Sequence, residues 1–188
     1  MDPIVIFGLI LVAVVISLIV LYNGIIGAHN RAQRAWADVL TYERQKTKVL
    51  DALQPQVGNY QDYEQKLLTD ITQLRSAIAG LPAAADGRAL VTTEKATLAL
   101  LDSLRVTYEA YPDLKAAEIA TYFMREIAEQ QENIGAAVTV FNREVELFNN
   151  KIQMFPGSFV NGTFNKKSPI TPFSNAEAQK GFEYKPNF

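Results

Sequence analysis

Cysteine is absent from the sequence, and histidine occurs once, at His29. The first absence excludes a disulfide framework, a thiol nucleophile, a thiolate metal site and a lipid-modified N-terminal cysteine. The second argues against a histidine-based zinc site or a Ser-His-Asp triad. Charge of one sign is scarce: 18 Lys and Arg face 20 Asp and Glu, a net charge of -2, which leaves no basic footprint for nucleic acid. No phosphate-binding glycine loop and no G-x-S-x-G is present. What the chain has instead is apolar content, 48% of 188 residues, enough for one domain with a sizeable core.

Much of that content is concentrated at the start. Ile4 to Leu21, IVIFGLILVAVVISLIVL, carries no charge and only Gly8 and Ser17 as weak interruptions. As a helix it is about 27 Å long, against a hydrocarbon core of about 30 Å. Tyr22 and Asn23 then fall at interfacial depth, where an amphipathic ring is favoured. A cleaved signal peptide is the competing reading, but a basic n-region is missing, the apolar run is long and no small-x-small cleavage site follows. Residues 1–22 are therefore read as a retained transmembrane anchor. No Lys or Arg precedes the run, whereas Arg31, Arg34, Arg44 and Lys46 follow it. The expected arrangement is a single-pass protein of the cell (inner) membrane, with Met1 outside and the rest cytoplasmic.

Residues 23–156 read as antiparallel helices. Ile25, Ala28, Ala32, Ala35, Val39, Tyr42, Val49 and Leu53 keep a helical stripe interrupted only by Lys46, with Trp36 beside it as a core anchor. At Pro55 the chain either reverses or kinks; the pattern leaves both open. A second run places Tyr60, Tyr63, Leu67, Ile71, Leu74 and Ile78 inward. GLPAAADGR, 80–88, is the clearest loop. A third run turns Leu90, Leu98, Leu101, Leu104 and Tyr108 inward and should stop at Tyr111-Pro112. The fourth, from about Lys115 to Phe155, stops at Pro156-Gly157.

On that fourth helix Ile127, Ile134, Val138, Phe141, Val145, Phe148, Ile152 and Phe155 form a heptad seam, and Val140, Leu147 and Met154 a second column, a face broad enough for two neighbouring helices. Asn142 and Asn149 flank the seam and repeat the seven-residue spacing of Asn23 and Asn30. The expected role of these four is to fix register through interhelical hydrogen bonds. Glu126, Glu129 and Glu132 read as a solvated face, with Arg125 and Glu129 pairing on the surface. In residues 157–188, Pro169, Pro172 and Pro186 forbid a long helix, while Phe159, Phe164, Phe173, Phe182, Tyr184 and Phe188 are too many aromatics for a solvated tail. An irregular, packed tail is expected.

Several of these pieces together resemble the LemA family: the Tyr22-Asn23 exit, Asn30, Ala35-Trp36, the Arg44 to Pro55 stretch, Tyr111-Pro112-Asp113-Leu114-Lys115, Phe141-Asn142, Phe148-Asn149 and Phe155-Pro156. Ala137 to Phe141, AVTVF, departs from that family's usual arginine and tyrosine before the first late asparagine. The resemblance covers the chain from the apolar run to about Pro156. It implies a membrane-anchored, up-and-down four-helix bundle with a short extracytoplasmic N-terminus, and it supplies no catalytic residue. The fold expected overall is all-α: an N-terminal transmembrane helix, that bundle and the aromatic tail.

The function expected is a scaffold that self-assembles at the lipid bilayer as a homo-oligomer, without catalysis, cofactor, metal or nucleic acid. Ala13 and Ser17, a small-xxx-small step in the span, and Phe159, Phe164, Phe173 and Phe182 are the candidate self-association residues. The alternative is a regulatory or sensory adaptor that presents its helices to another membrane protein, such as a protease or transporter.

Overall fold

The computed structural model describes residues 2–57, 64–110 and 114–174. Among them every regular element is helical: α1 (Pro3–Val57), α2 (Glu64–Ala79), α3 (Leu90–Ala110), α4 (Leu114–Gln153) and the short α5 (Gly157–Val160). A 3-10 turn at Gly87–Ala89 precedes α3, and a π turn at Asn161–Asn165 follows α5.

α1 is one helix of 55 residues. It begins with Pro3, where proline costs no hydrogen bond, and the Asp2 carbonyl accepts from the amides of Val5 and Ile6. Ile4 to Val20 lies almost wholly exposed, with only Gly8 and Leu18 partly covered. Among the described residues this is the one helix long and apolar enough to cross a membrane.

Past that segment the helices pack on one another. Arg75 on α2 donates to Asp51 at 2.7 Å and Gln54 at 3.0 Å, so α2 runs antiparallel to the end of α1. This decides the alternatives at Pro55. α1 stays helical through the proline to Val57, and α2 returns alongside it instead of continuing outward. A proline in a final turn disturbs little, because the ladder is about to end anyway. α3 runs parallel to α1, with Thr97 within 3.0 Å of Lys46. α4 runs antiparallel to α1: Gln131 meets Lys46, Glu144 meets Arg31, and Lys151 reaches the Gly24 carbonyl.

Two apolar layers form the core. The one nearer the apolar segment holds Ile25, Ala28, Ala32, Trp36, Phe141, Val145, Phe148 and Ile152. Phe141 packs against Trp36, and Phe148 meets the edge of His29, both at 5.2 Å between centroids. The far layer holds Leu50, Leu53, Leu67, Ile71, Leu74, Leu100, Leu104 and Ile127. The small alanines of α1 explain the close α1–α4 approach: Ala28, Ala32 and Ala35 leave room for the rings of α4.

Several expectations need correction. On α3, Leu98 and Tyr108 are exposed, and the buried face is Thr93, Thr97, Leu100, Ser103, Leu104 and Thr107. Three of these hydroxyls are satisfied within the helix: Thr93 donates to Leu90 O, Thr97 to Thr93 O and Thr107 to Ser103 O. Ser103 donates instead to Asp70 on α2. Hydrophobicity alone therefore misplaces the face. Val140 and Leu147 on α4, and Met154 just past its end, face outward instead of packing on a second helix. Phe155 leaves the seam and is 85% exposed, because α4 ends at Gln153. Arg125 sits over the Tyr122 ring at 5.8 Å instead of pairing with Glu129. The tail is not irregular from its start: it is helical at 157–160 and π-helical at 161–165, where no proline intervenes. Tyr60, Tyr63, Tyr111-Pro112, Phe182, Tyr184, Pro186 and Phe188 lie outside the described residues.

Candidate functional site

Asn142 and Asn149 do not bond across a helix pair. Each holds the backbone of the tail. The Asn142 side-chain amide donates to Phe173 O and its oxygen accepts from Phe173 N, both at 2.8 Å. Asn149 does the same to Ile170, at 2.8 and 3.0 Å. Asn161 pairs likewise with Lys167. A carboxamide has one acceptor and one donor group side by side, so it matches the N–H and C=O of a single extended residue. This pairing corrects the expectation that the late asparagines set register between helices. Asn23 and Asn30, the other two of that set, are exposed.

The spacing explains the fit. Seven residues of helix cover about 10.5 Å. Three residues of polyproline-like chain cover about 9 Å and return the backbone to the same face. Pro169 and Pro172 immediately precede Ile170 and Phe173, and both restrict the segment to extended geometry. On its other side the Thr171 carbonyl accepts from Gly87 N at 2.9 Å, and its hydroxyl from Arg88 at 3.0 Å. Gly87 is buried, and a Cβ there would overlap the backbone of Pro172 and Phe173. Ile170 is buried on the near layer and Phe173 packs against it. The tail through 174 is thus a built component of its own chain.

The second polar arrangement separates the two apolar layers. Lys46 and Glu43 are almost fully buried, 1% and 2% exposed. The Lys46 ammonium donates to Thr97 Oγ1 at 3.0 Å and Gln131 Oε1 at 2.9 Å, and lies 2.9 Å from Glu43 Oε2. The last is an ion-pair contact, and that oxygen has no other partner. Loss of hydration holds Lys46 below the ordinary lysine value, with the Glu43 carboxylate and, more weakly, Glu94 opposing. The interruption of the α1 stripe at Lys46 marked this layer in the sequence; the threonines that complete it carried no comparable signal.

His29 is half-buried against Phe148, and its protonation is disfavoured by burial and then by Lys167, with a hydrogen bond to Asn30 opposing. Among the described residues no cluster of acidic or histidine side chains could hold a metal ion. Of the expected self-association residues, Ala13 and Ser17 are exposed, with the Ser17 hydroxyl donating to Ala13 O at 2.8 Å. Phe159 and Phe164 are exposed, Phe173 is half-buried on its own chain, and Phe182 lies outside the described residues.

The family model for the LemA family matches residues 35–185, which takes in Trp36, the buried Lys46 layer, both clamping asparagines and the tail. The chain belongs to the LemA family. It is 28% identical over 133 residues to Protein LemA of Metamycoplasma hominis, covering 71% of this chain and 60% of that protein, so it spans less than two thirds of that relative's length. No solved structure matches. The LemA match runs past Pro156 and through the tail segment, beyond the reach of the resemblance seen in the residues. It begins after the apolar segment, so the first 34 residues stand on their own chemistry.

Proposed function

We propose that this LemA-family chain is a membrane-anchored scaffold. In this reading Ile4 to Leu21 spans the bilayer, the four long helices beyond form an up-and-down bundle on the cytoplasmic side, and copies associate without catalysis. One observation carries it: Val140 and Leu147, seven residues apart on α4, are 53% and 41% exposed, while the seam beside them is buried. A heptad column of apolar side chains outside the core is what a helix of a second copy packs against. Val140 also borders a groove in which Ala35, Ala136 and Ala137 are small enough for close approach, flanked by Tyr42 and the polar Asp38 and Gln45. Ala13 and Ser17 offer a further contact in the span, since the Ser17 hydroxyl is already satisfied within the helix.

Val140→Asp with Leu147→Asp tests this. Both sites are exposed, so stability should change by at most about 1 kcal/mol in total. Crosslinking in native membranes should show an oligomer ladder for the wild type and mostly monomer for the variant, with helicity unchanged by circular dichroism. An unchanged ladder would defeat the column as the interface. A wild-type monomer that crosslinks only to other membrane proteins would favour the adaptor.

Orientation has its own measurement. Ala128, exposed on α4, is a site for a single cysteine. An impermeant maleimide on intact cells should label Asp2→Cys and spare Ala128→Cys; the opposite pattern would place the bundle outside.

A further inference from the structure

Every exposed phenylalanine beyond the apolar segment, among the described residues, sits in one place. Phe155 is 85%, Phe159 61% and Phe164 56% exposed, and Met154 beside them 64%; Phe123, Phe141 and Phe148 are buried and Phe173 is half-buried. The four exposed residues all lie on the hook formed by the end of α4, α5 and the π turn. This clustering is invisible in sequence periodicity, because the hook is not a helix of constant phase.

The hook is held level with the end of the apolar run. Lys151 Nζ lies 3.5 Å from Gly24 O, and Asn165 donates to Tyr22 O at 3.4 Å. Gln153, the last residue of α4, therefore lies near Tyr22 in height, and the residues after it cannot climb back far. The fold enforces this. Gly157 is buried, and a Cβ on it would overlap the Lys151 carbonyl, so α5 folds directly against the last turn of α4. Val160 is buried in the near core layer, which leaves Phe159 and Phe164 to face outward.

We infer that this hook is a lipid-docking collar: Met154, Phe155, Phe159 and Phe164 insert into the interfacial zone of the bilayer around the exit of α1. The inference rests on the proposed membrane anchor. Two features on the hook favour lipid over a protein partner. Its height coincides with Tyr22, where the apolar run ends, so a bilayer crossed by that run meets these rings without any further component. Lys151 in the last turn of α4 and Lys166 and Lys167 directly after the π turn flank the hook, which suits the phosphates of an anionic surface. Aromatic rings at this depth gain burial for their apolar faces without entering the hydrocarbon centre.

The absence of cysteine makes the test clean. Single cysteines replace Phe155, Phe159 or Phe164 in the full chain, with Val12→Cys in the span and Ala128→Cys on the far part of α4 as references. Each is labelled with a nitrobenzoxadiazole dye and reconstituted in phosphatidylcholine–phosphatidylglycerol vesicles. The expected result is quenching of the three hook labels by a spin-labelled lipid whose nitroxide sits near the headgroups, with shielding from iodide relative to Ala128→Cys. Hook labels as open to iodide as the Ala128→Cys label, with the Val12→Cys label quenched by a lipid carrying its nitroxide deep in the acyl chain, would overturn the collar and leave the anchor standing. Shielding from both quenchers would assign the hook to a protein contact and also overturn it. A Val12→Cys label untouched by that second lipid, whose nitroxide sits deep in the acyl chain, would remove the anchor itself, and the collar with it.

Discussion

Lys46→Met is expected to destabilise the folded chain by about 3–5 kcal/mol, because it leaves the buried Glu43 carboxylate without its counter-charge. Chemical denaturation followed by circular dichroism in mild detergent measures this. Met has nearly the volume of Lys, so packing loss contributes little. The double variant Lys46→Met with Glu43→Leu should return to within about 1 kcal/mol of the wild type, since an apolar layer then joins the two that flank it. A single variant that costs nothing would mean that the pair is not buried as described.

The same group gives a sign for pH. Burial holds the Lys46 proton less tightly in the folded chain than in the unfolded one, whose ordinary value is 10.5. The unfolded state therefore binds more protons between the lowered value and 10.5. Stability contributed by this site should rise with pH across that window, and the rise should vanish in Lys46→Met.

Gly87→Ala is expected to expel the tail from its groove. The added methyl has no room against the backbone of Pro172 and Phe173, neither of which can yield like a flexible side chain. Expulsion would forfeit four paired hydrogen bonds to Asn142 and Asn149, at about 0.5–1.5 kcal/mol each, and the burial of Ile170, at about 1.5–3 kcal/mol. The reporters are the amides of Ile170 and Phe173, both of which donate to an asparagine. Their hydrogen exchange should accelerate by about 100-fold or more, the equivalent of about 3 kcal/mol. The exchange of Leu50 and Ile71 in the far layer should hardly change. Unaltered protection at Ile170 would show that the tail is not seated against Gly87.

Reading the residues forward succeeded where one chemistry dominates. Ile4 to Leu21 is apolar on all sides, and the stripe from Ile25 to Leu53 fits a helix buried on one face. The seam from Ile127 to Ile152 is likewise evident. It failed where polar groups are buried with partners far away in sequence. Thr93, Thr97 and Thr107 look solvent-facing until their hydroxyls are seen to bond within α3 and, for Thr97, to accept from a lysine 51 residues upstream. Asn142 and Asn149 show their heptad spacing plainly, but their partners are backbone groups, which every residue possesses and no pattern distinguishes. The only hint was the matching Pro169–Pro172 triplet. Phe155 departs from the seam because periodicity carries past the true end of a helix; Val140 and Leu147 depart from the packed face because an apolar residue next to a seam looks the same whether covered or bare.

The most direct measurement is the number of chains in the particle extracted with its surrounding lipid into nanodiscs, read by native mass spectrometry. A self-assembling membrane scaffold requires a defined multiple of the single-chain mass, reduced by Val140→Asp with Leu147→Asp. One chain per particle at native expression, with the apolar column of α4 left facing solvent, would contradict it.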